Sequence, residues 1–216
     1  MKKQFLVLGA GRFGTSLAKK IMELKQEVLV VDGEADRIHP LTDIATWTLE
    51  ADITNENNLR EIIGARNFDV VILAVGTDIQ SSIMTAILLK DMGVKTLIAK
   101  ANNDLHAKVL YKIGVDRVIF PEREMGARIA QYLVHENIFD YINLSEEFSL
   151  VEVKVPKRWL HKSVREVDVK KNFGINIIGI KGQGRLTLDV LPDTRFMPKD
   201  ILVVVGRDTA IDELPQ

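Results

Sequence analysis

Short apolar runs alternate with amphipathic stretches in the N-terminal part of the chain. Strand-length runs lie at 5–8, 28–31, 45–49, 69–75, 95–100 and 117–120. Between these runs, apolar residues recur at helical spacing, as Phe13, Leu17, Ile21 and Leu24 illustrate. Because strands that alternate with helices typically form a parallel sheet covered on both faces, the pattern predicts an α/β domain with a Rossmann-like, doubly wound parallel sheet.

The pattern changes beyond Phe120. One more helix is predicted at 123–137, and a polar turn follows at 143–147. Strands are then predicted at 149–155, 176–181, 185–188 and 201–205, and short helices at 163–167 and 208–214. We therefore expect a Rossmann-like domain at 1–122, a connector helix at 123–143 and a small α+β domain with an antiparallel sheet at 144–216.

Bulk composition narrows the class of protein. The 216 residues suffice for one large domain or two modest ones, and 46% hydrophobic with 27% charged residues is ordinary for a globular protein. The chain has no cysteine, which excludes disulfides and thiolate catalysis. A net charge of −1 argues against nucleic acid as a partner. No apolar run approaches the roughly 20 residues of a membrane-spanning helix, so we expect a cytoplasmic protein.

A glycine-rich turn follows the first predicted strand. Gly9, Gly11 and Gly14 form a GxGxxG motif between that strand and a helix, which is the context that a dinucleotide-binding loop requires. The first glycine permits a tight turn, the second lets the backbone approach a phosphate, and the third lets the helix pack against the strand. Asp32 ends the second strand, where a carboxylate can accept hydrogen bonds from ribose hydroxyls. The motif predicts an adenine-nucleotide site.

The turn at Asp52, the arginine of the glycine loop and Glu122 each have two interpretations. Asp52 and Ile53 follow the third strand and are placed to contact adenine, whereas Asp52 or Thr54 can instead cap the next helix. Arg12 lies inside the glycine loop, where its guanidinium can fork onto a terminal phosphate or simply extend into solvent. Glu122 follows the last parallel strand and can hold a divalent cation, magnesium or calcium, or can serve as an acidic residue in the first turn of a helix.

Groups suited to catalysis are scarce. His39, His106, His135 and His161 have no carboxylate partner at a recognisable spacing, and we expect them to be surface or capping residues. The sequence has no GxxxxGK[ST] loop and no cluster with the ligand spacing of a structural zinc site. It predicts a nucleotide sensor without reaction chemistry of its own, and so not an enzyme.

Several motifs together resemble the RCK domain, the regulator of potassium conductance, in the form of the cytosolic subunits of Ktr/Trk-type potassium uptake systems. The matching segments are GAGRFG at 9–14, Asp32, the turn at Asp52, KANN at 100–103, GVDRVIFPE at 114–122 and the MGxRIA that follows. The resemblance extends over essentially the whole chain, with residues 1–140 similar to the N-terminal RCK subdomain and the rest similar to the C-terminal one.

This resemblance implies a regulatory subunit that gates potassium transport. Such subunits form homodimers that assemble into an octameric ring under a membrane-embedded potassium-translocating subunit, at the inner face of the cell membrane. ATP would activate and ADP would hold the inactive state, with Arg12 meeting the γ-phosphate and Glu122 helping to bind a cation between subunits. The nucleotide contacts expected here are Gly9, Gly11, Arg12, Phe13, Gly14, Asp32, Asp52, Ile53, Ala74, Val75, Gly76 and Lys100.

In many relatives from Gram-positive bacteria, the C-terminal subdomain also binds cyclic di-AMP, an inhibitory signal. The matching residues in this chain are Val164, Val169, Lys170, Asn176, Ile177 and Pro192. Asn176 can read an adenine edge, and Lys170 supplies a cation where the family pattern often has the forked donors of arginine. Alternatively, these residues are a strand edge in the core and a loop proline.

Two other classes of function remain open. The glycine motif also fits an NAD(H)-dependent oxidoreductase or an NAD(H)-sensing regulator, although the sequence shows no catalytic domain to serve a nicotinamide. A ligand-sensing transcription regulator would need a helix-turn-helix or a basic patch, and neither is recognisable.

Overall fold

The computed structural model describes residues 2–76, 78–134 and 138–215, with the side chains of Gln131 and Tyr132 excepted. The chain divides into two compact units, residues 1–122 and residues 123–216. Each unit is organised around its own sheet.

The first unit is built on six parallel strands. They are β1 (Gln4–Leu8), β2 (Glu27–Asp32), β3 (Trp47–Glu50), β4 (Val70–Leu73), β5 (Leu97–Lys100) and β6 (Arg117–Ile119), in the order β3-β2-β1-β4-β5-β6. Leu8 aligns with Val31 on one side and with Leu73 on the other, so the carboxyl ends of neighbouring strands meet at one edge. The strand order reverses direction between β1 and β4, where ligands bind in open α/β sheets. The predicted doubly wound sheet is confirmed.

Helices connect these strands, and local capping groups define where several of them begin. The helices are α1 (Arg12–Glu23), α2 (Ala35–Ile38), α3 (Glu56–Ala65), α4 (Ile79–Asp91) and α5 (Asp104–Ile113), with a 3₁₀ turn at His39–Leu41. Asn55, Asp78 and Asn103 precede α3, α4 and α5, and each side chain accepts hydrogen bonds from backbone N–H groups of the first turn. Gly114 ends α5 in the left-handed conformation, with φ of 97°.

Apolar side chains cover both faces of this sheet. Successive strand residues point to opposite faces, so Leu6 and Leu8 pack in one layer while Val7 packs in the other. All three side chains are fully buried. This burial on both faces explains why the strands read as continuous apolar runs rather than as alternating ones.

The second unit contains an antiparallel sheet with helices packed on one face. Its strands are β7 (Ile138–Asn143), β8 (Phe148–Lys154), β9 (Asn176–Gly182), β10 (Arg185–Thr187) and β11 (Ile201–Arg207), in the order β10-β9-β11-β8-β7. Helix α6 (Pro121–Val134) precedes the sheet, and the short helices α7 (Val164–Val167), α8 (Val169–Phe173) and α9 (Asp208–Asp212) follow β8 and β11. Val151, Val204, Trp159 and Phe196 lie in its core. The predicted small α+β domain is confirmed.

The connector helix predicted at 123–143 is wrong in its second part. Helix α6 ends at Val134, and residues 138–143 form β7, which pairs antiparallel with β8. A register shift between Ile138 and Asp140 lets both Ile138 and Tyr141 face the core, although they are three residues apart. That spacing is also helical, so the apolar pattern could not separate the two states. The predicted helix end at 135–137 lies outside the described residues.

Candidate functional site

The glycine loop after β1 lies against the loop after β4. Gly9 has φ of 105°, and a Cβ there would come within 3.2 Å of the backbone of both Ala74 and Val75. A Cβ on Gly14 would collide with the carbonyl oxygen of Gly9, because α1 packs directly on the turn. At Gly11, by contrast, a Cβ would meet no protein atom within 4 Å. The packing of the loop requires glycine at the first and third positions and leaves open space at the second.

Asp32 at the end of β2 is bound to the same loop. Its buried carboxylate accepts hydrogen bonds from the N–H of Ala10 (2.7 Å) and the N–H of Glu34 (2.9 Å). The Arg37 guanidinium lies 3.8 Å from the carboxylate. The side chain therefore holds the glycine loop and the turn after β2 in place.

The turn after β3 excludes one of the two interpretations of the sequence, capping of the next helix by Asp52 or Thr54. The Asp52 carboxylate accepts hydrogen bonds from the N–H (2.8 Å) and the hydroxyl (2.7 Å) of Thr54, which hold the pKa of Asp52 below its ordinary value. The cap of α3 is Asn55, so the alternative that Asp52 or Thr54 caps this helix is wrong. The side chain of Ile53 is buried in the core, and its carbonyl oxygen accepts a hydrogen bond from the Thr85 hydroxyl (3.2 Å). Ile53 is thus a core residue placed at the edge of the sheet.

A cluster of charged residues lies at the ends of β4, β5 and β6. Lys100 ends β5 and forms an ion pair with the Glu122 carboxylate, in the first turn of α6. A Cβ on Gly76 would lie 3.0 Å from the Lys100 Nζ, so the lysine side chain runs directly across this glycine. Hydrogen bonding by Lys100 is the main cause that lowers the pKa of Glu122, and the charge of Arg12 adds to it. The structure therefore brings Arg12, Gly76, Lys100 and Glu122 together.

Among the described residues, the surroundings of Glu122 supply positive charge rather than further metal ligands. Divalent magnesium and calcium are held by several oxygen ligands. Within residues 2–76, 78–134 and 138–215, no group of three or more metal-ligating side chains is found. The carboxylate of Glu122 is already paired with an ammonium group and lies in the field of a guanidinium. The local charge is therefore unfavourable to a second cation.

The histidines were expected at the surface or at helix caps, and the structure shows two of them exposed and one buried. His39 and His161 are exposed, as predicted, and His135 lies outside the described residues. His106 is instead buried in the first turn of α5, where burial lowers its pKa and its Nε2 has no hydrogen-bond partner among the residues that the structure describes. The expectation of a surface residue is wrong at His106, whereas its Nδ1 accepts a hydrogen bond from the N–H of Asn102 (3.4 Å), just before α5.

The second unit contains a cavity of about 480 Å³ beside α7 and α8. The six positions proposed for cyclic di-AMP all line it: Val164, Val169, Lys170, Asn176, Ile177 and Pro192. Val169 is buried in the floor, whereas Lys170 and Asn176 are exposed at the rim. The arrangement combines an apolar floor with polar groups at the opening, which suits a ligand that has both ring faces and charged groups.

Other residues of this cavity were missed by the sequence analysis. They are Arg165, Asp168, Ile175 and Val190. Asp168 adopts φ of 43° where α7 meets α8, and the N–H of Arg165 donates to the Pro192 carbonyl (2.8 Å). The S-x-x-E capping box at 163–166 is the sequence signal that could have predicted the start of α7. A helix that begins there brings Arg165 toward the loop at Pro192.

Comparison with known proteins defines the class of this chain. Residues 5–121 match the TrkA-N domain, and residues 148–214 match the TrkA-C domain. The chain therefore belongs to the family of RCK-domain regulatory subunits of potassium uptake systems. Within the part of the chain that the structure describes, no helix is long and apolar enough to cross a membrane.

Particular relatives narrow the family to the Ktr type. The Ktr system potassium uptake protein C of Bacillus subtilis (strain 168) is 42% identical over 211 residues, which cover 98% of this chain and 95% of that protein. The Ktr system potassium uptake protein A of the same organism is 41% identical over 204 residues, covering 94% and 91% respectively.

Solved structures support the fold. The RCK domain of GsuK has a TM-score of 0.66 at 18% identity, covering 98% of this chain and 46% of that chain. The GsuK channel bound to NAD has a TM-score of 0.65 at 17% identity, covering 97% and 38% respectively. This chain thus spans less than half of the length of those chains, and the likeness concerns the fold.

Proposed function

We propose that this chain is the nucleotide-sensing subunit that gates a membrane-embedded potassium-translocating partner. The observation that carries the proposal is the cluster of Arg12, Lys100 and Glu122 beside the glycine loop. Two cations and an open glycine position face the place where a nucleotide phosphate would lie. A third phosphate brings additional negative charge to this cluster, which gives a physical basis for distinguishing ATP from ADP.

The ribose would be held at Asp32. Both of its carboxylate oxygens already accept a backbone N–H, and each retains a lone pair for a hydroxyl group. The carboxylate also repels a 2′-phosphate. Adenine nucleotides with a free 2′-hydroxyl are therefore the ligands proposed here, and they include ATP, ADP and NAD(H).

Gating would follow from a shift between two arrangements of the assembled subunits. ATP can favour the active arrangement only through contacts that are better there than in the inactive one. Helix α6 exposes Met125 and Ile129 on one side, at a spacing of one helical turn. This apolar face supports a homodimer, and an octameric ring built from such dimers at the inner face of the membrane is part of the proposal.

The cavity of the second unit would take cyclic di-AMP as an inhibitory ligand. Val169 and Ile177 offer an apolar surface to an adenine ring, Asn176 offers an amide to its edge, and Lys170 offers a cation to phosphate. This ligand would bind at a site separate from the proposed nucleotide site, since all its contact residues lie in the second unit.

Isothermal calorimetry with ATP, ADP, NADH and cyclic di-AMP tests these proposals. We expect ATP and ADP to compete for one site and cyclic di-AMP to bind at another. Arg12→Ala should abolish the difference in affinity between ATP and ADP while leaving ADP binding largely intact. Arg60→Ala, which removes an exposed arginine paired with Glu56 on α3, is the matched control and should retain the difference. Binding of NADH alone would replace ATP gating by an NAD(H)-dependent function.

A further inference from the structure

The Lys100 side chain has a defined position that the nucleotide motif alone does not explain. Although lysine is usually exposed, the Lys100 side chain is only 13% accessible to solvent. Its Cε and Nζ would lie 3.2 Å and 3.0 Å from a Cβ on Gly76, so the lysine side chain lies closely over this glycine. The Asn102 amide also donates to the Gly76 carbonyl, which fixes the loop beneath the lysine. The ammonium is thereby directed to Glu122.

Glu122, in contrast to Lys100, is exposed to solvent. Its side chain is 71% accessible, so a soluble ion can reach the carboxylate from solvent. An accessible carboxylate at the carboxyl edge of a parallel sheet would ordinarily be available to a divalent cation. In this chain an internal cation already occupies it.

We propose that Lys100 is the resident cation of Glu122, and that it excludes divalent ions from this carboxylate in the nucleotide-free chain. A divalent ion at Glu122 would have to displace the ammonium, whose stem is held across Gly76. It would also approach the positive charge of Arg12, which acts on the same carboxylate. The displacement of the ammonium and the repulsion by Arg12 both oppose the binding of a divalent ion, and both act at short range through charge.

This inference rests on the proposed function and deepens it. It identifies the Lys100 ammonium as the cation at the edge of the sheet where a nucleotide would bind. If nucleotide phosphates bind beside Arg12, the Lys100 ammonium is a second fixed positive charge next to them. Nucleotide binding by the free subunit should then depend little on magnesium. Removing the charge of Lys100 should make nucleotide binding depend on magnesium.

The first experiment measures the binding of Mn²⁺ alone by electron paramagnetic resonance, without nucleotide. We expect Lys100→Met to bind Mn²⁺ at least about threefold more tightly than the unaltered chain, since a competing charge is removed. Lys100→Arg should behave like the unaltered chain. Adding Glu122→Gln to Lys100→Met should abolish the gain. Lys90→Met is the matched control, because it removes a lysine that pairs with Asp116 at the opposite edge of the same sheet.

The proposal is overturned if Lys100→Met binds Mn²⁺ no more tightly than the unaltered chain. If Lys100→Met does not fold, Glu122→Gln provides a second test of the proposal. Glu122→Gln alone should leave the Mn²⁺ affinity of the otherwise unaltered chain unchanged, and a loss of affinity would show that Glu122 already binds the metal.

A nucleotide titration with and without magnesium separates this inference from the proposed function. We expect the ADP affinity of the unaltered chain to change less than about twofold with magnesium, and that of Lys100→Met to change more. Failure of every nucleotide to bind would contradict the proposed function alone, because the Mn²⁺ measurement uses no nucleotide.

Discussion

The two candidate sites of this chain are built in opposite ways. At the edge of the parallel sheet, polar groups already pair with one another: Asp32 with the N–H groups of Ala10 and Glu34, and Lys100 with Glu122. A nucleotide binding there adds contacts to groups that already have partners. Its selectivity must therefore come from small differences in charge and hydrogen bonding rather than from buried area.

The cavity in the second unit instead combines buried apolar groups with exposed polar ones. Its floor is supplied by buried apolar side chains such as Val169 and Ile175, and its rim by Lys170 and Asn176. Binding there gains chiefly from covering apolar surface, with polar groups setting orientation. The comparison indicates that the first site suits a switch between related nucleotides, whereas the second suits capture of one ligand of fixed shape.

The largest effect is expected from the packing of the glycine loop. Gly14→Ala places a methyl group against the Gly9 carbonyl and should lower the free energy of unfolding by about 3 kcal/mol or more. Gly11→Ala adds the same methyl group in open space and should cost less than about 1 kcal/mol. Urea unfolding measures both. Equal losses in the two variants would contradict the packing described for this loop.

Gly11→Ala also separates folding from binding. Because its Cβ meets no protein atom, the variant should fold normally but bind ADP about tenfold more weakly if a phosphate lies close to the backbone. Cyclic di-AMP binding in the second unit should not change. Calorimetry with both ligands on the same preparation makes this comparison.

Asp32→Ala should give the next largest effect. The change leaves the N–H groups of Ala10 and Glu34 without their acceptor and removes the proposed ribose contact. We expect the affinity for ATP, ADP and NADH to fall together, by about tenfold or more. Asp32→Asn, which retains one acceptor oxygen, should lose less. Unchanged affinities in Asp32→Ala would show that the ribose lies elsewhere.

A smaller effect is expected in the cavity. Lys170→Arg introduces a forked donor at the rim and should increase cyclic di-AMP affinity by about threefold. Nucleotide affinity should stay the same, because the substitution lies in the other unit. Lys171→Arg, one residue further along α8 and outside the cavity lining, is the control. Equal gains from both substitutions would indicate a general effect of arginine.

The smallest effect is a dependence of stability on pH. Burial lowers the pKa of His106, so below the ordinary histidine pKa of about 6.5 the unfolded chain binds a proton that the folded chain does not. The first unit should therefore lose stability as the pH falls from about 6.5 toward the lowered folded pKa. Unfolding of His106→Leu should not show this loss. Exposed His161 provides the control substitution, and His161→Leu should retain it.

Several strong sequence signals predicted local structure correctly. The alternation of apolar runs and helical spacing gave the order of the strands and helices, since each strand of a parallel sheet is buried on both faces. The glycine motif predicted the turn after β1, because the conformation of Gly9 and the close approach of Gly14 are local requirements. The placement of Asp32 at the end of β2 followed from the same pattern.

Other features depended on partners distant in the chain. Residues 138–143 form a strand because β8 offers hydrogen bonds to them, and their apolar spacing was equally compatible with a helix. The Lys100 ion pair arises because the ends of β5 and β6 lie side by side in the sheet, which brings Glu122 within reach. His106 is buried for a similar reason, since the packing of α5 encloses its ring.

The sequence by itself determined the class of each unit, the position of the glycine turn and the residue types available at each strand end. These properties follow from periodicity and backbone conformational limits, which act over a few residues. Only the tertiary structure decided which charges meet and which side chains enclose the cavity. Those outcomes depend on the distance between elements far apart in sequence, and neither electrostatic pairing nor cavity shape is defined until the elements pack.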